Sequence, residues 1–271
     1  MAAPIIEAVN VSKSYPRRAG ILKRQIGAVQ AVDRVSCALG AGETLGLVGE
    51  SGCGKTTLAK LLVGLLAPSG GGVFVHGQPL NRLRGAALGT ARRAVQFIFQ
   101  DPMNSLNPRL TVEETLEEPL LIHRMGDRTT RRHRVLELLD AVQLPAAYFR
   151  RLPRQLSGGE RQRVGIARAL AVQPEALICD EPIASLDVSV GAQILELLRT
   201  LSQRHRTALL FISHDLRAVA SLCQRIAVMR QGRLLETAPT ERLVDRPGHP
   251  YTELLIRCAE LDLDTPQSVG D

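Results

Sequence analysis

Aromatic residues are scarce in this sequence. It holds five Phe, three Tyr and no Trp among 271 residues, which is 3%. Proteins that bind single-stranded nucleic acids stack successive bases on aromatic side chains. The scarcity argues against a binder of that kind, even though a net charge of +7 would suit one. The positive charge therefore needs another explanation.

The chain also lacks long apolar segments and patterned cysteines. Its longest apolar runs, residues 61–67 and 208–212, fall well short of the roughly 18–20 residues that span a bilayer. Residues 1–8 have neither the basic nor the apolar region of a signal peptide. The five cysteines follow no CxxC or Cys/His spacing, which favours unpaired thiols in a reducing compartment. We expect a chain that works in the cytoplasm.

Short apolar runs bounded by turn residues indicate the strands. They are rich in Val, Ile, Leu and Phe, as expected of strands that are covered on both faces. The predicted strands are residues 44–48, 73–76, 95–99, 176–179, 208–213 and 225–229. A tight turn joins the last of these strands to residues 234–237 as an antiparallel hairpin.

Helical periodicity lies between several of these strands. The predicted helices are residues 57–66, 130–142, 159–171, 190–204 and 216–223. Alternation of strand and helix predicts an α/β fold with a mainly parallel sheet and right-handed crossovers. From about residue 102 to residue 156 there is no strand pattern, only helical segments punctuated by proline. We therefore expect a helical insertion within an α/β core.

The strongest chemical signal is GESGCGKT at residues 49–56, which fits the phosphate-loop pattern G-x-x-x-x-G-K-[ST]. It lies between a predicted strand and an apolar helix, as the pattern requires. Glycines let backbone N–H groups surround an anion, and the N-terminus of the next helix adds partial positive charge. The lysine reaches the β- and γ-phosphates, and the hydroxyl after it can bind Mg²⁺. The predicted nucleotide contacts are Gly49, Glu50, Ser51, Gly52, Cys53, Gly54, Lys55, Thr56 and Thr57.

A second signal is the acidic end of a predicted strand, where Asp180 and Glu181 follow the apolar run 176–179. A carboxylate at the carboxyl end of a strand beside a phosphate loop can hold Mg²⁺ through water. The next carboxylate can polarise an attacking water. We predict that Asp180 and Thr56 hold magnesium and that Glu181 is the general base.

Residues 156–162, LSGGERQ, indicate a second anion site. Ser157 can cap the helix that follows, and two glycines leave the first amides of that helix open to an anion. One nucleotide rarely needs two phosphate-facing helix N-termini in the same chain. We expect a head-to-tail dimer in which this site closes on the nucleotide held by the partner's phosphate loop.

In this combination and order, the segments resemble the ATP-binding subunit of ABC transporters, over nearly the whole chain. The signature is LSGGE here, where the family more often has LSGGQ. The resemblance implies a P-loop NTPase core of the RecA-like type with a mainly parallel sheet, an N-terminal antiparallel β portion and an inserted helical subdomain. It places the core at about residues 1–99 and 166–245, the helical subdomain at about 100–165 and a C-terminal extension at about 246–271, all in one ABC ATPase domain.

The same resemblance assigns roles to residues outside the phosphate loop. It implies the Q-loop glutamine at Gln100, the D-loop at residues 185–187, the switch histidine at His214 and the adenine-stacking aromatic at Tyr15. Catalysis would involve Glu181, His214 and Gln100, and Gln100 would also contact magnesium. The contacts to the partner's ATP would come from Ser157, Gly158, Gly159, Glu160 and Asp187. The implied cofactors are ATP and Mg²⁺.

Three further segments resemble the oligopeptide, dipeptide and nickel uptake subfamily. They are FQDPMNSLNP at residues 99–108, ASLDVSV at 184–190 and HPYT at 249–252. Many peptide-type members continue past the last segment into a cysteine-containing extension, whereas only a short segment follows it here. This favours a nickel or metallophore importer, and peptide uptake stays open.

The resemblance also implies partners and a location. The solute would be delivered by an extracytoplasmic binding protein and would cross two membrane-spanning permease subunits. This ATPase would sit at the cytoplasmic face of the inner membrane and pair with a copy of itself or with a related ATPase. The helical insertion would present the groove for the permease's coupling helix.

Two other functions are compatible with a phosphate loop. A soluble ABC ATPase acting on DNA or ribosomes usually has tandem cassettes, a long coiled coil or zinc-binding cysteines, which this sequence lacks. A metabolite kinase or GTPase would leave LSGGE unexplained, and the guanine motif NKxD is absent.

Residues 150–168 hold six arginines and one acid, which favours nucleotide phosphates or an anionic membrane surface over nucleic acid as the polyanion.

Overall fold

The computed structural model describes residues 3–19, 24–100 and 106–261. Residues 101–105, inside the subfamily segment 99–108, lie outside the described residues, as do residues 262–271 of the expected C-terminal extension. The strands, numbered along the chain, are β1 Ile6–Ala19, β2 Arg24–Leu39, β3 Thr44–Val48, β4 Gly70–Val75, β5 Gln78–Pro79, β6 Val95–Ile98, β7 Ala176–Asp180, β8 Ala208–Ile212, β9 Arg225–Arg230 and β10 Arg233–Pro239.

The larger sheet has six strands in the order β10-β9-β3-β8-β7-β6. The strands from β9 to β6 run parallel, and β10 pairs antiparallel with β9 as the predicted hairpin. Strands β3, β7 and β8 are buried along their whole length, which explains their continuous apolar sequences. The prediction of an α/β fold with a mainly parallel sheet is confirmed.

The smaller sheet is antiparallel, with the order β2-β1-β4-β5. It confirms the expected N-terminal antiparallel portion but corrects one assignment. The run at residues 73–76 is predicted to be a strand covered on both faces, whereas residues 73–75 lie in β4, which pairs antiparallel with β1. Val73 and Val75 are buried while Phe74 is only partly covered, so β4 has the alternating burial of a strand with one covered face. Four residues were too few to distinguish this alternation from a continuous apolar run.

Nine helices are assigned within the described residues. They are α1 Lys55–Leu62, α2 Gly85–Ala94, α3 Val112–Ile122, α4 Arg128–Ala141, α5 Gly158–Leu170, α6 Val188–His205, α7 Leu216–Leu222, α8 Thr240–Asp245 and α9 Pro250–Leu261. Between residues 106 and 175, all of which are described, there is no strand. Helices α3 and α5 each begin with a capping box, in which Thr111 pairs with Glu114 and Ser157 pairs with Glu160.

Two apolar clusters cover the two faces of the parallel sheet. Successive residues of a strand point to opposite faces, and β7 shows this directly. Leu177 and Cys179 belong to the cluster that includes the apolar side chains of α3–α6, whereas Ala176 and Ile178 belong to the cluster shared with α1 and the antiparallel sheet. The carboxyl ends of the strands are therefore the places where polar side chains can emerge from between the clusters.

Helix α7 packs directly on the middle of the parallel sheet. A Cβ on Gly46 of β3 would lie 2.1 Å from Cγ1 of Val219 in α7. It would also lie 3.4 Å from Sγ of Cys223, just after that helix. Gly46 thus sets the distance between the sheet and α7, the helix that follows His214.

We predict that Gly46→Ala lowers the free energy of unfolding by about 1–3 kcal/mol, because the added methyl overpacks a filled site. Gly89→Ala is the matched control, since Gly89 lies inside α2 with nothing within 4 Å of a new Cβ. Alanine there should raise the free energy of unfolding by about 0.5–1 kcal/mol. Urea unfolding of both variants measures the difference, and equal effects at the two positions would contradict the packing argument.

Candidate functional site

The phosphate loop joins β3 to α1 at the carboxyl edge of the parallel sheet. Gly49, Gly52 and Gly54 have positive φ angles of 153°, 78° and 112°. A Cβ on Gly49 would lie 2.0 Å from the carbonyl oxygen of Met229, and one on Gly54 would lie 2.1 Å from that of Ala31. A Cβ on Gly52 would meet nothing within 4 Å. Packing therefore requires two of these glycines, while the third faces open space.

Lys55 is the first residue of α1 and is buried beneath the loop. Its Nζ donates to the carbonyl oxygens of Gly49 at 2.7 Å and of Glu50 at 3.0 Å. Gly54 is the N-cap of α1, and no side chain caps that helix. The ammonium and the uncapped helix N-terminus together form a site of positive potential that suits phosphate.

Cys53 contributes to the loop through its backbone. Its carbonyl oxygen accepts the N–H of Gly232 at 2.8 Å, which ties the loop to the β9–β10 turn. The side chain is buried, and burial raises the pKa of the thiol, so that it stays protonated at neutral pH.

Asp180 and Thr56, the two residues predicted to hold magnesium, meet beside the loop. Asp180 ends β7 and is buried, and Oγ1 of Thr56 donates to its Oδ1 at 3.1 Å. Burial raises the pKa of Asp180, although the hydrogen bond from Thr56 opposes that effect. A hydroxyl and a carboxylate are hard oxygen ligands of the kind Mg²⁺ takes together with phosphate oxygens. Among the described residues, no group of three or more His, Cys, Asp or Glu side chains is placed to hold a metal ion. A metal at this site would therefore need the phosphate oxygens as additional ligands.

Two predicted catalytic side chains, those of Gln100 and His214, contact one carboxylate oxygen of the third, Glu181. Nε2 of Gln100 donates to Oε2 of Glu181 at 3.2 Å, and Nδ1 of His214 lies 3.3 Å from the same oxygen. The backbone N–H of Glu181 donates to the carbonyl oxygen of Ile212 at 2.9 Å. Glu181 has a φ of 47°, a strained conformation for a residue with a side chain, and such strain is often stored at functional sites.

These residues line one open cavity of about 500 Å³. Its walls are Ala31, Ser51, Gly52, Gly54, Lys55, Thr56, Thr57, Gln100, Glu181 and His214. The structure thus brings together most of the predicted phosphate contacts and all three predicted catalytic residues. No sequence motif predicts Ala31, which lies in β2 and also lines the cavity.

Tyr15, the predicted adenine contact, lies outside the cavity lining. It sits on β1 opposite Val29 of β2 and is 39% exposed. The ammonium of Lys13 lies 5.4 Å from its ring centroid. Tyr15 is therefore on the antiparallel sheet that supplies Ala31, and its role stays a prediction.

The signature segment forms a separate surface of the chain. Ser157 is exposed at the N-terminus of α5, and its Oγ accepts the N–H of Glu160. Oε2 of Glu160 accepts the N–H of Ser157 at 2.6 Å, and Oε1 accepts the hydroxyl of Tyr148 at 2.6 Å. These bonds, the Tyr148 hydroxyl first, lower the pKa of Glu160. The predicted cap of α5 is confirmed, with Glu160 tied back to its own chain.

The glycines of the signature and Asp187 also have contacts within the chain. A Cβ on Gly159 would lie 2.5 Å from Cγ1 of Val190, and one on Gly158 would lie 3.4 Å from Cδ2 of Leu186. Asp187 caps α6 by accepting the N–H of Val190 at 2.9 Å, and this bond lowers the pKa of Asp187. None of the residues predicted to contact the partner's ATP lines the cavity described above.

The arginines near the signature do not all face solvent. Arg163 is buried, and its guanidinium donates to the carbonyl oxygen of Val142 at 2.9 Å and to Oε1 of Gln143 at 3.1 Å. The guanidinium carbon of Arg151 lies 3.7 Å from the ring centroid of Tyr148. Part of the basic cluster at residues 150–168 therefore serves packing within the helical region.

Sequence reasoning also missed a contact at the back of the loop. The hydroxyl oxygen of Tyr251, in α9, accepts the N–H of Glu50 at 3.2 Å. The only signal for it was the segment HPYT at residues 249–252, which had no assigned role.

Comparisons with known proteins agree with this geometry. The family model described as ABC transporter matches residues 32–184. A probable peptide ABC transporter ATP-binding protein, y4tS of Sinorhizobium fredii, is 46% identical over 259 residues, which are 96% of this chain and 73% of that protein. The glutathione import ATP-binding protein GsiA of Pectobacterium atrosepticum is 46% identical over 94% of this chain, which spans only 41% of that relative's length.

A solved structure supports the same assignment. A dimeric post-hydrolysis state of the ATP-binding cassette MJ0796, bound to ADP and Pi, matches with a TM-score of 0.76 and 31% identity. The match covers 87% of this chain and 98% of that one. The family model covers more than half of the chain, and the y4tS relative matches almost all of it. The chain therefore belongs to the ABC transporter family, as an ATP-binding subunit that hydrolyses ATP.

Proposed function

We propose that this ATPase powers an importer for peptides or for nickel and metallophore-type solutes. The observation that carries the proposal is the single cavity that joins the phosphate loop to Gln100, Glu181 and His214, with the signature on a separate surface. The relatives described above are named for a peptide ABC transporter and for glutathione import. The rival interpretation, a soluble ABC ATPase acting on DNA or ribosomes, has no support among these relatives.

The phosphate loop would bind the β- and γ-phosphates through its amides, the N-terminus of α1 and Lys55. Thr56 and Asp180 would hold Mg²⁺, with the amide oxygen of Gln100 as a third protein contact. When bound, the metal would neutralise charge that develops on the phosphate oxygens. The aromatic ring of Tyr15 would stack on the adenine.

Glu181 would act as the base that orients and deprotonates the attacking water. Gln100 and His214 both contact Oε2 of its carboxylate, which limits the rotamers that it can adopt. His214 is exposed on the cavity side, where it could reach the γ-phosphate. Much of the rate enhancement would come from charges fixed in place before the reaction begins.

Replacing the proposed base tests this assignment. Glu181→Gln keeps the shape and the hydrogen bonds but removes the basic group, so turnover should fall by about 10²–10⁴-fold. ATP binding should survive, and the two ATPase subunits should pair more tightly because ATP is not consumed. Steady-state hydrolysis and size-exclusion chromatography with ATP measure these effects. Lys55→Ala is the contrasting variant and should lose ATP binding. Near-normal turnover of Glu181→Gln or unchanged ATP affinity of Lys55→Ala would contradict the assignments.

The second half of the proposal is a head-to-tail pair of ATPase subunits, as a homodimer or with a related chain. Ser157, Gly158, Gly159, Glu160 and Asp187 would face the nucleotide held by the partner. Oγ of Ser157 accepts a bond from its own helix, so its proton can be donated to a phosphate oxygen. MJ0796, the structural relative, is itself dimeric.

Two matched variants of capping residues distinguish an effect on folding from an effect on the function of the proposed subunit pair. Ser157→Ala and Thr111→Ala each remove the first residue of a capping box and should each cost about 1 kcal/mol of stability. Only Ser157→Ala should also reduce turnover, by about tenfold or more, because it loses a hydrogen bond to a charged phosphate. Thermal unfolding and steady-state hydrolysis are the two measurements. Equal turnover in the two variants would argue against a signature contact to ATP.

The docking site for the permease would be an open groove of about 500 Å³ that includes Phe99, the residue before Gln100 of the cavity. Leu65, Phe99, Pro119 and Ile122 contribute apolar surface to it, with Glu118 and Arg92 as charged neighbours. Leu65 and Ile122 are 55% and 69% exposed, and because both lie in this groove they give it an exposed apolar patch of the kind that marks interaction sites. We assign this surface, in a helical subdomain at about residues 100–165 and the adjoining core, to the permease's coupling helix.

The ATPase would then lie at the cytoplasmic face of the inner membrane, with an extracytoplasmic binding protein delivering the solute. None of the helices that the structure describes is both long and apolar enough to cross a bilayer.

Uptake measurements test the transport function and choose between substrates. A strain lacking this chain should lose accumulation of either a radiolabelled peptide or radioactive nickel. Complementation with the wild-type chain should restore it, whereas the Glu181→Gln variant should not. Normal uptake of both solutes in the deletion strain would overturn the proposed importer.

A further inference from the structure

Residues 249–252, HPYT, form the start of α9 and have no role in the site proposed so far. Nδ1 of His249 accepts the N–H of Tyr251 at 3.0 Å, so His249 caps the helix with its side chain. Pro250 is the first helical residue, where a missing N–H leaves no hydrogen bond unmade. The N–H of Gly248, just before the cap, donates to Oε1 of Glu236 at 2.8 Å. These contacts start α9 at a fixed place and orient Tyr251.

Tyr251 reaches from α9 to the phosphate loop, 201 residues away from Glu50 along the chain. Its side chain is almost fully buried, and the guanidinium carbon of Arg230 lies 4.6 Å from the ring centroid. Burial raises the pKa of the phenol, so the hydroxyl is neutral at physiological pH. The position of this hydroxyl is therefore set by a packed ring that a nearby cation holds from one face.

Tyr251 and Lys55 bind the same peptide group, Tyr251 at its N–H and Lys55 at its C=O. The peptide bonds of the described residues are all trans, so the C=O and N–H of one peptide group point in opposite directions. In the peptide between Gly49 and Glu50, the carbonyl oxygen accepts Nζ of Lys55 at 2.7 Å. The N–H of that peptide donates to the hydroxyl of Tyr251 at 3.2 Å. The two contacts together fix the rotation of the peptide plane.

The far end of α9 is attached to the helix that follows His214. Nε of Arg217, in α7, donates to the carbonyl oxygen of Ala259 at 2.9 Å. Asp215, the residue after His214, caps α7. Helix α9 thus contacts both the phosphate loop and the helix next to the proposed switch histidine, and so connects these two parts of the site.

We propose that Tyr251 is a positioning residue of the ATP site. By holding the N–H of Glu50 it orients the peptide whose carbonyl binds Lys55, and so keeps Lys55 and the loop amides in the geometry that binds phosphate. Tyr251 does not line the cavity, so it acts through the loop and makes no contact with ATP. This inference rests on the proposed ATP site and adds to it a residue of the C-terminal helix.

The test is Tyr251→Phe in the full chain, which deletes the hydroxyl and keeps the ring. Loss of one hydrogen bond that orders the loop should raise KM and Kd for ATP about three- to tenfold. Turnover at saturating ATP should stay within about twofold of wild type, because the catalytic side chains are untouched. Steady-state hydrolysis over a range of ATP concentrations gives KM and kcat, and isothermal titration with ATP gives Kd.

Thr252→Val is the matched control. Thr252 is the next residue on α9, is equally buried, and its hydroxyl has no hydrogen-bond partner among the described residues. Removing that hydroxyl should leave KM for ATP unchanged. A second variant, Arg230→Met, removes the cation beside the Tyr251 ring and should raise KM about two- to fivefold.

The outcomes separate positioning from a merely structural role. A raised KM in Tyr251→Phe, with normal kcat and normal Thr252→Val, supports the proposal. An unchanged KM in Tyr251→Phe overturns the proposal, even if kcat and the melting temperature both fall. If Tyr251→Phe does not fold, the KM of Arg230→Met decides in the same way. Hydrolysis by the wild-type chain and its loss in Lys55→Ala test the ATP site separately, so a failure of Tyr251→Phe alone leaves that site standing.

Discussion

Parallel pairing of β3, β8 and β7 is the constraint on which the whole site depends. Ile212 of β8 is in register with Leu47 of β3 on one side and with Asp180 of β7 on the other. The pairing continues past the strand ends, because the N–H of Ser213 donates to the carbonyl of Leu47 and the N–H of Glu181 donates to that of Ile212. The phosphate loop, the acidic pair and His214 therefore leave the sheet side by side, although they are far apart in sequence. Apolar clusters cover both faces of the strands, so this edge is where their polar side chains can meet a ligand.

The parts of this site that could be predicted from sequence are those whose geometry is encoded locally. A glycine-rich turn between a buried strand and a helix has few possible conformations, so the phosphate loop was identifiable from eight residues. The cap of α5 was predictable for the same reason, since Ser157 and Glu160 are three residues apart and form a capping box by themselves. The buried strands β3, β7 and β8 were predictable because both of their faces are apolar.

The rest depends on contacts between distant segments, for which one sequence carries no pattern. Val73 and Val75 have the same composition as a core strand, and only pairing with β1 shows that β4 belongs to the other sheet. Glu181 has a positive φ just after β7, where its N–H bonds to Ile212 of β8, and acidic residues give no local sign of it. The contact between Tyr251 and Glu50 requires α9 to be folded against the loop. Likewise, the sequence could not show that Glu160 and Asp187 already have hydrogen-bond partners within their own chain. Those partners order the signature surface within the chain, which would reduce the conformational entropy that the proposed pairing with a second subunit must overcome.

The phosphate loop itself shows why a short motif needs a whole domain. Glycine loses more conformational freedom on ordering than any other residue, and fixing one backbone residue costs roughly 1–2 kcal/mol. A single hydrogen bond returns only about 0.5–1.5 kcal/mol, so no single contact can hold this loop. The structure uses three segments instead: Lys55 of α1 binds the carbonyl oxygens of Gly49 and Glu50, Gly232 of the β9–β10 turn binds that of Cys53, and Tyr251 of α9 binds the N–H of Glu50. Because these segments come together only in the folded chain, a loop that can be recognised from eight residues is ordered by contacts that reach residue 251.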